Sequence, residues 1–383
     1  MTKELSSRWT PVQSRLASLN ADALLLSSPV NLLYATGQIF NGCFWLPRNG
    51  SPHLFIQRPQ NEESGNVHFI RKVEDIPAIL AKLGLSVGRL ALEGDELAYT
   101  THTRLAKLSE GPVANGSGIM RLARSVKTPF EIALMREGGA RHAKAISRFP
   151  EFYKPGMTDH QFAVECETAL LRAGSLGLFR VNGTSMEVFM GTVLAGDNAG
   201  AVSPYDFGLG GAGLDASLPV GQNNTVMKPG MTVLMDIAFN HHGYLTDCTR
   251  TFSIGKPSAD TLAAHQCCMD IQAAVANAMR PGVSCEELYK LSLDMADKAG
   301  YADRFMGLSQ KAKFIGHGTG LYINEWPVLG ARSTAVLEAG NVIALEPKIV
   351  LAGVGAVGVE DTFAVTGNGV ENLTPCAQHM IEL

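Results

Sequence analysis

The chain is poor in charge: 18% of its 383 residues are Asp, Glu, Lys or Arg, below the ~25% of an average soluble protein. With 46% apolar residues, that balance describes a packed globular molecule and excludes disorder, coiled coil and collagen. An excess of positive charge is also missing. The net charge is −4 and the pI about 6.2, so neither nucleic acid nor an anionic membrane surface has an electrostatic reason to bind. No stretch reaches the ~18–20 consecutive apolar residues of a membrane helix. The start, Met1-Thr2-Lys3-Glu4-Leu5-Ser6-Ser7-Arg8, has no apolar run behind it, so no secretory signal is expected. Cysteines number seven, with no Cys-x-x-Cys spacing, whereas a disulfide framework wants an even count in a shorter chain. Reduced thiols in a cytoplasm are the expectation.

Glycine, by contrast, is abundant at 40 residues and anticipates turns and hairpins. The length suits two domains. Within 1–125, segments 21–26, 52–57 and 89–93 read as strands and 73–83 as a helix, an α/β domain without a titratable cluster. Ser125-Val126-Lys127-Thr128-Pro129 then punctuates the chain, and Pro129 suits the first position of a long helix. The boundary falls there, dividing 1–125 from 126–383.

The second domain repeats itself. Pro155-Gly156-Met157-Thr158 opens a segment ending at Ala173-Gly174, and Pro281-Gly282-Val283-Ser284 opens one of equal length ending at Ala299-Gly300. Each hydroxyl is followed three residues later by Gln161 or Glu287, the spacing of a capping box. Further on, the run from Gly230 to Asp236 echoes that from Gly340 to Glu346, the acid lying six residues after the glycine in both. Two helix–helix–hairpin halves related by an approximate two-fold axis would bring the two hairpins together.

Those hairpins carry acids. Folding 231–252 about the 241/242 junction, within Asn240-His241-His242-Gly243, sets Asp236 opposite Asp247. Facing residues hold their Cβ atoms ~4.5–5.5 Å apart, where like charges are destabilising, and Asp is a poor strand former. A divalent cation between them is the natural compensator. Likewise 342–350 and 356–365 pair around Gly353 and set Glu346 opposite Glu360. His317, in Phe314-Ile315-Gly316-His317-Gly318-Thr319-Gly320-Leu321, is a candidate further ligand, between glycines that let the backbone come close to a site.

Asp236, Asp247 within Asp-Cys-Thr-Arg-Thr-Phe, His317-Gly-Thr-Gly, Glu346-Pro and Glu360-Asp resemble, in order and local context, the five metal ligands of the pita-bread metallopeptidases. That family includes methionine aminopeptidase, aminopeptidase P and prolidase, together with the metal-free creatinase. Ser28-Pro29-Val30-Asn31-Leu32-Leu33-Tyr34-Ala35-Thr36-Gly37 resembles the creatinase-type N-terminal domain, and Lys127-Thr128-Pro129-Phe130-Glu131-Ile132 the entry to the catalytic domain. The resemblance implies an α+β fold: a pita-bread catalytic domain of two pseudo-symmetric halves, preceded by a creatinase-type α/β domain. It implies two divalent ions, Mn favoured by the oxygen-rich ligands and Co, Zn or Fe admitted. A shared hydroxide between the ions would attack the substrate carbonyl, and Glu346 would pass its proton to the leaving amine. Removal of an N-terminal residue from short peptides, of prolidase or aminopeptidase P type (Xaa-Pro), follows, and so does a homodimer.

Three positions depart from the pattern. No histidine follows Gly196-Asp197-Asn198, where Ser203-Pro204-Tyr205 stands; Asn324 stands seven residues beyond His317 in place of a second histidine, as a substrate-binding candidate; and Gly358 stands where an arginine precedes the last glutamate. In the relatives those groups orient the substrate carbonyl and carboxylate. Asn donates a hydrogen bond but is no cation, and losing one electrostatic donor costs ~10²–10³ in rate. Hydrolysis of a non-peptide amide, a lyase step on a small acid, and a catalytically impaired binding relative are therefore the alternatives. Gly208-Leu209-Gly210-Gly211-Ala212-Gly213 matches the dinucleotide glycine pattern but has no strand before it or helix after it, and reads as a pocket loop. His241 and His242 read as a solvated turn, Cys267-Cys268 as core packing, and Trp326 as either pocket lining or core.

Overall fold

A computed structural model of the chain describes residues 3–61, 65–183 and 189–383. The chain divides into two compact units, Met1–Arg124 and Ser125–Leu383.

In the first unit, α1 (Lys3–Arg15), β1 (Ala23–Leu26), α2 (Pro29–Thr36), β2 (Asn41–Pro47), β3 (His53–Arg58), β4 (Val67–Phe69), α3 (Ile76–Lys82), β5 (Leu90–Leu92), α4 (Tyr99–Ala106), β6 (Ala114–Asn115) and α5 (Ser117–Ser125) follow in order. The sheet runs β4-β3-β2-β1-β5-β6. β1 is buried along its whole length, as its uniformly apolar sequence requires of a strand covered on both faces. Glu93, at the end of β5, is wholly buried. It accepts from Ser27 N at 2.6 Å, Ser28 N at 2.9 Å, Asn31 Nδ2 at 2.6 Å and the Ser28 hydroxyl.

The second unit has two similar halves. α6 (Pro129–Ile146) starts from a capping box between Thr128 and Glu131, with Pro129 in its first turn, and α7 (Asp159–Arg172) from one between Thr158 and Gln161. β7 (Gly191–Ala195), β8 (Thr232–His241) and β9 (Tyr244–Ser253) follow. In the second half come α8 (Ala259–Ala278) and α9 (Cys285–Lys298), the latter capped by Ser284, whose hydroxyl accepts from Glu287 N. The repeated segments thus hold helices of equal length, 14 residues each. Then come β10 (Phe314–Gly318), β11 (Glu325–Gly330), β12 (Val342–Leu345), β13 (Lys348–Leu351), β14 (Gly355–Gly358), β15 (Asp361–Val365), β16 (Val370–Asn372) and β17 (Ile381–Glu382). The sheets run β17-β9-β8-β7 and β11-β10-β12-β15-β16, with β13-β14 a separate ribbon.

Each hairpin rests on its own helices. Phe149, Phe162, Met235, Phe239 and Phe252 form the first core, and Ile271, Val275, Leu288, Ile343 and Val357 belong to the second. Each such side chain contributes about 1.5–3 kcal/mol when fully buried, so the acids stand on well-anchored strands. Cys268 joins the second core, with Cys267 packed at its edge.

Register corrects one expectation and matches another. β8 and β9 pair with His241 facing Tyr244, so Asp236 faces Thr249 and Asp247 faces Ala238; the two aspartates are diagonal neighbours on one face. The turn is the dipeptide His242-Gly243, both at positive φ (52° and 92°), the mirror-image geometry a two-residue hairpin favours. Glycine at its second position moves the fold axis one residue on from the 241/242 junction. His241 is accordingly buried, against the expectation of a solvated turn, with Nε2 3.5 Å from Glu137 Oε1. In the second hairpin Leu345 faces Asp361 and Lys348 faces Gly358, so both ladders share the register that sets Glu346 against Glu360. The ladder breaks between them at Pro347, which has no N–H to donate.

Candidate metal centre

The two hairpins meet edge to edge. Thr249 N donates to Glu360 O at 3.3 Å and Glu360 N to Thr249 O at 3.1 Å. Asp247 N donates to Thr362 Oγ1 and the Thr362 hydroxyl donates back to Asp247 O, both at 2.9 Å. Arg250 lies buried behind this seam, donating to Glu360 O at 2.7 Å and to Asp361 Oδ1 at 2.6 Å. The seam gathers Asp236, Asp247, Glu346 and Glu360, all buried, on the wall of a cavity of about 500 Å³, also lined by His317, Asn324, Asp206, Phe207, Gly208 and Phe314.

His317 reaches the acids from β10. A Cβ on Gly316 would lie 2.4 Å from Ala344 O and one on Gly318 2.2 Å from Trp326 O, so only glycine lets the flanking strands close on this histidine. Nδ1 lies 3.1 Å from Gly318 O and Nε2 3.4 Å from Glu346 Oε1.

Lys348 was not singled out by sequence. Its ammonium lies among the acids, 2.6 Å from Asp236 Oδ2, 2.5 Å from Glu346 Oε2 and 3.8 Å from Glu360 Oε2, and it is wholly buried. The electrostatics follow from burial and crowding. Burial, then the neighbouring Asp236, raises the Asp247 carboxyl; burial, then Asp247 and Glu346, raises Glu360. Burial works the same way on Glu346 but is outweighed by Lys348 and His317, which bring it to about 2. For His317, burial is outweighed by Glu346 and Asp247, which lift it to about 9.

The donors fit a divalent ion on one side. Ligand atoms of Asp247, His317 and Glu360 lie within 4.8 Å of one another. Glu360 Oε1 is buried with no hydrogen-bond partner among the described residues, the state of a carboxylate oxygen shaped for a cation. Asp236, Glu346 and Glu360 are equally close, but Lys348 already pairs with all three.

The remaining candidates separate. Asn324 lines the cavity, yet its amide is engaged with Asn182: Oδ1 accepts from Asn182 N at 2.7 Å and Nδ2 donates to Asn182 O at 3.1 Å. Trp326 is 41% exposed and is absent from the cavity wall. The glycine-rich loop 207–221 forms no helix, and Phe207 and Gly208 join the wall. Asp206, also unread in the sequence, is raised by burial and by the charge of Glu346. A cavity lined by four carboxylates and a histidine, on two similar α+β halves, is a candidate carboxylate-rich metal centre.

Comparison with known proteins agrees. Residues 133–367 match the profile of metallopeptidase family M24, and residues 8–126 that of the creatinase/prolidase N-terminal domain. The chain belongs to metallopeptidase family M24, in the pita-bread fold with a creatinase-type N-terminal domain. It is similar to the uncharacterized peptidase YqhT of Bacillus subtilis, 26% identical over 97% of this chain and 99% of the relative. It is also similar to a Xaa-Pro dipeptidase of Lactobacillus helveticus, 27% identical over 95% of both. Among solved structures, a Xaa-Pro dipeptidase from Bacillus anthracis superposes with a TM-score of 0.81 at 21% identity, covering 99% of this chain and 100% of that one. Among the described residues no helix is long and apolar enough to cross a membrane.

Proposed function

We propose that this metallopeptidase removes the N-terminal residue from short peptides, with proline favoured in second position. The observation that carries the reading is the cavity itself, lined by Asp247, His317 and Glu360 and by the apolar side chains of Phe207, Phe314, Ile323 and Val328. That wall suits a pyrrolidine ring, and Asp206 at the rim suits the free ammonium of a peptide N-terminus.

Asp247, His317 and Glu360 would hold a divalent ion, Mn by the preponderance of oxygen donors, which would supply Lewis acidity and lower the pKa of water. Glu346 moves the proton. Its Oε2 is held by Lys348, while Oε1 faces His317 Nε2; Oε1 accepts the proton of the attacking water and returns it to the leaving nitrogen. No Arg or Lys lines the cavity among the described residues.

A second reading, hydrolysis of a non-peptide amide, draws on Asn324, whose amide is spent on Asn182. A mass-spectrometric screen of the Mn-loaded protein against di- and tripeptides, with Glu346→Gln as control, separates the two. Release of a residue preceding proline, slowed ~10²–10⁴-fold in the control, supports the peptidase. No cleavage by protein that holds its metal moves the assignment to the second reading.

A further inference from the structure

Three carboxylates built to surround a cation already surround one. Asp236, Glu346 and Glu360 bring ligand atoms within 4.8 Å of one another, and Lys348 Nζ lies 2.6, 2.5 and 3.8 Å from them respectively. The ammonium is not a surface group that has folded inward. Lys348 is wholly buried, on a strand whose partner position is Gly358. A Cβ on Gly358 would lie 2.8 Å from Lys348 Cγ, so the lysine stem occupies the space that a side chain at 358 would need. On the cavity side a Cβ on Gly208 would lie 3.0 Å from Lys348 Nζ and 2.6 Å from Glu346 Oε2. Two glycines, one on each side, therefore make room for this ammonium.

The neighbouring set differs. Asp247, His317 and Glu360 converge with no lysine among them, and Glu360 Oε1 is buried without a partner among the described residues. A second divalent ion among Asp236, Glu346 and Glu360 would meet the ammonium already fixed there, which repels it.

We propose that the Lys348 ammonium stands permanently in place of one divalent cation, so that the chain binds a single metal ion, at Asp247, His317 and Glu360. Lys348 is thereby a positioning residue: it holds Asp236 and Glu346 as a second ion would, but cannot be stripped by a chelator. The inference rests on the metal-dependent reading above and is tested apart from it by counting ions.

Chelator-stripped protein is dialysed against Mn(II) and the bound metal counted by inductively coupled plasma mass spectrometry, with isothermal titration calorimetry as a second readout. The wild type is expected to bind one ion per chain. Asp247→Asn is expected to weaken that binding at least tenfold, Asp236→Asn to keep one ion, and Lys348→Gly, refolded in excess Mn(II), to bind two. Two ions in the wild type overturn the inference and leave the metallopeptidase reading intact; no ion in the wild type overturns both. An ion retained by Asp247→Asn and lost from Asp236→Asn overturns its placement, and a folded Lys348→Gly that still holds one ion overturns the replacement. If Lys348→Gly does not fold, the wild-type count decides alone.

Discussion

Lys348 and Gly358 are partners across the β13–β14 ladder, and the lysine's stem fills the volume above the glycine. A Cβ at 358 would meet Lys348 Cγ and Pro347 O, both at 2.8 Å. Gly358→Ala is therefore expected to lower the unfolding free energy by about 1–3 kcal/mol through overpacking, read from the urea midpoint. The sequence pattern leads one to look for an arginine at 358. The structure instead places a cation directly across the ladder, turned toward the acids rather than into the cavity.

A second buried pair anchors the strand that follows His317. Lys127 Nζ lies 3.0 Å from Glu325 Oε2, with side chains 1% and 2% exposed. Lys127→Met takes the cation away from a buried carboxylate and is expected to cost about 3–5 kcal/mol. Adding Glu325→Leu should recover much of that loss in thermal unfolding, because the charge left behind dominates the penalty.

In the first unit, Glu93 faces donors: among the described residues it accepts from two backbone N–H groups, the Ser28 hydroxyl and the Asn31 amide. Glu93→Gln turns an NH₂ toward at least one of them. The expected cost is at least ~2 kcal/mol for the unsatisfied and opposed donors, measured by urea unfolding of the full chain.

His142 sets an acid sensitivity. It is wholly buried, stacked on Phe239, with Nδ1 3.2 Å from Thr246 Oγ1. Burial, with Arg250 adding to it, depresses its pKa from 6.5 to about 3. Between those values the unfolded chain binds a proton that the folded chain does not. Stability therefore falls as pH drops below 6.5, by about 1.4 kcal/mol per pH unit. Between pH 7 and pH 5 the wild type is expected to lose about 2 kcal/mol more than His142→Gln.

Much of this architecture was legible because local chemistry carried it. Thr158 with Gln161 and Ser284 with Glu287 mark two helix starts through caps that work independently of the fold. The Glu346–Glu360 register followed from a loop centred at Gly353. The first hairpin slipped because its turn depends on positive φ at His242 and Gly243, which the symmetric tetrad around them obscured. Lys348 went unread because a lysine in a strand suggests a solvated edge, although the two-residue period puts it on the face of Glu346. Asp206 lies in an irregular stretch with no period to reveal it; only the folded cavity wall does.

We propose metal-dependent hydrolysis at Asp247, His317 and Glu360. It is tested most directly by release of an N-terminal residue before and after chelation, and after Mn(II) is returned, in the wild type and in Asp247→Ala. Activity that vanishes on chelation, returns with Mn(II) in the wild type and does not return in the variant is the expected result. Full activity in stripped protein, or Asp247→Ala activity equal to wild type, would contradict it.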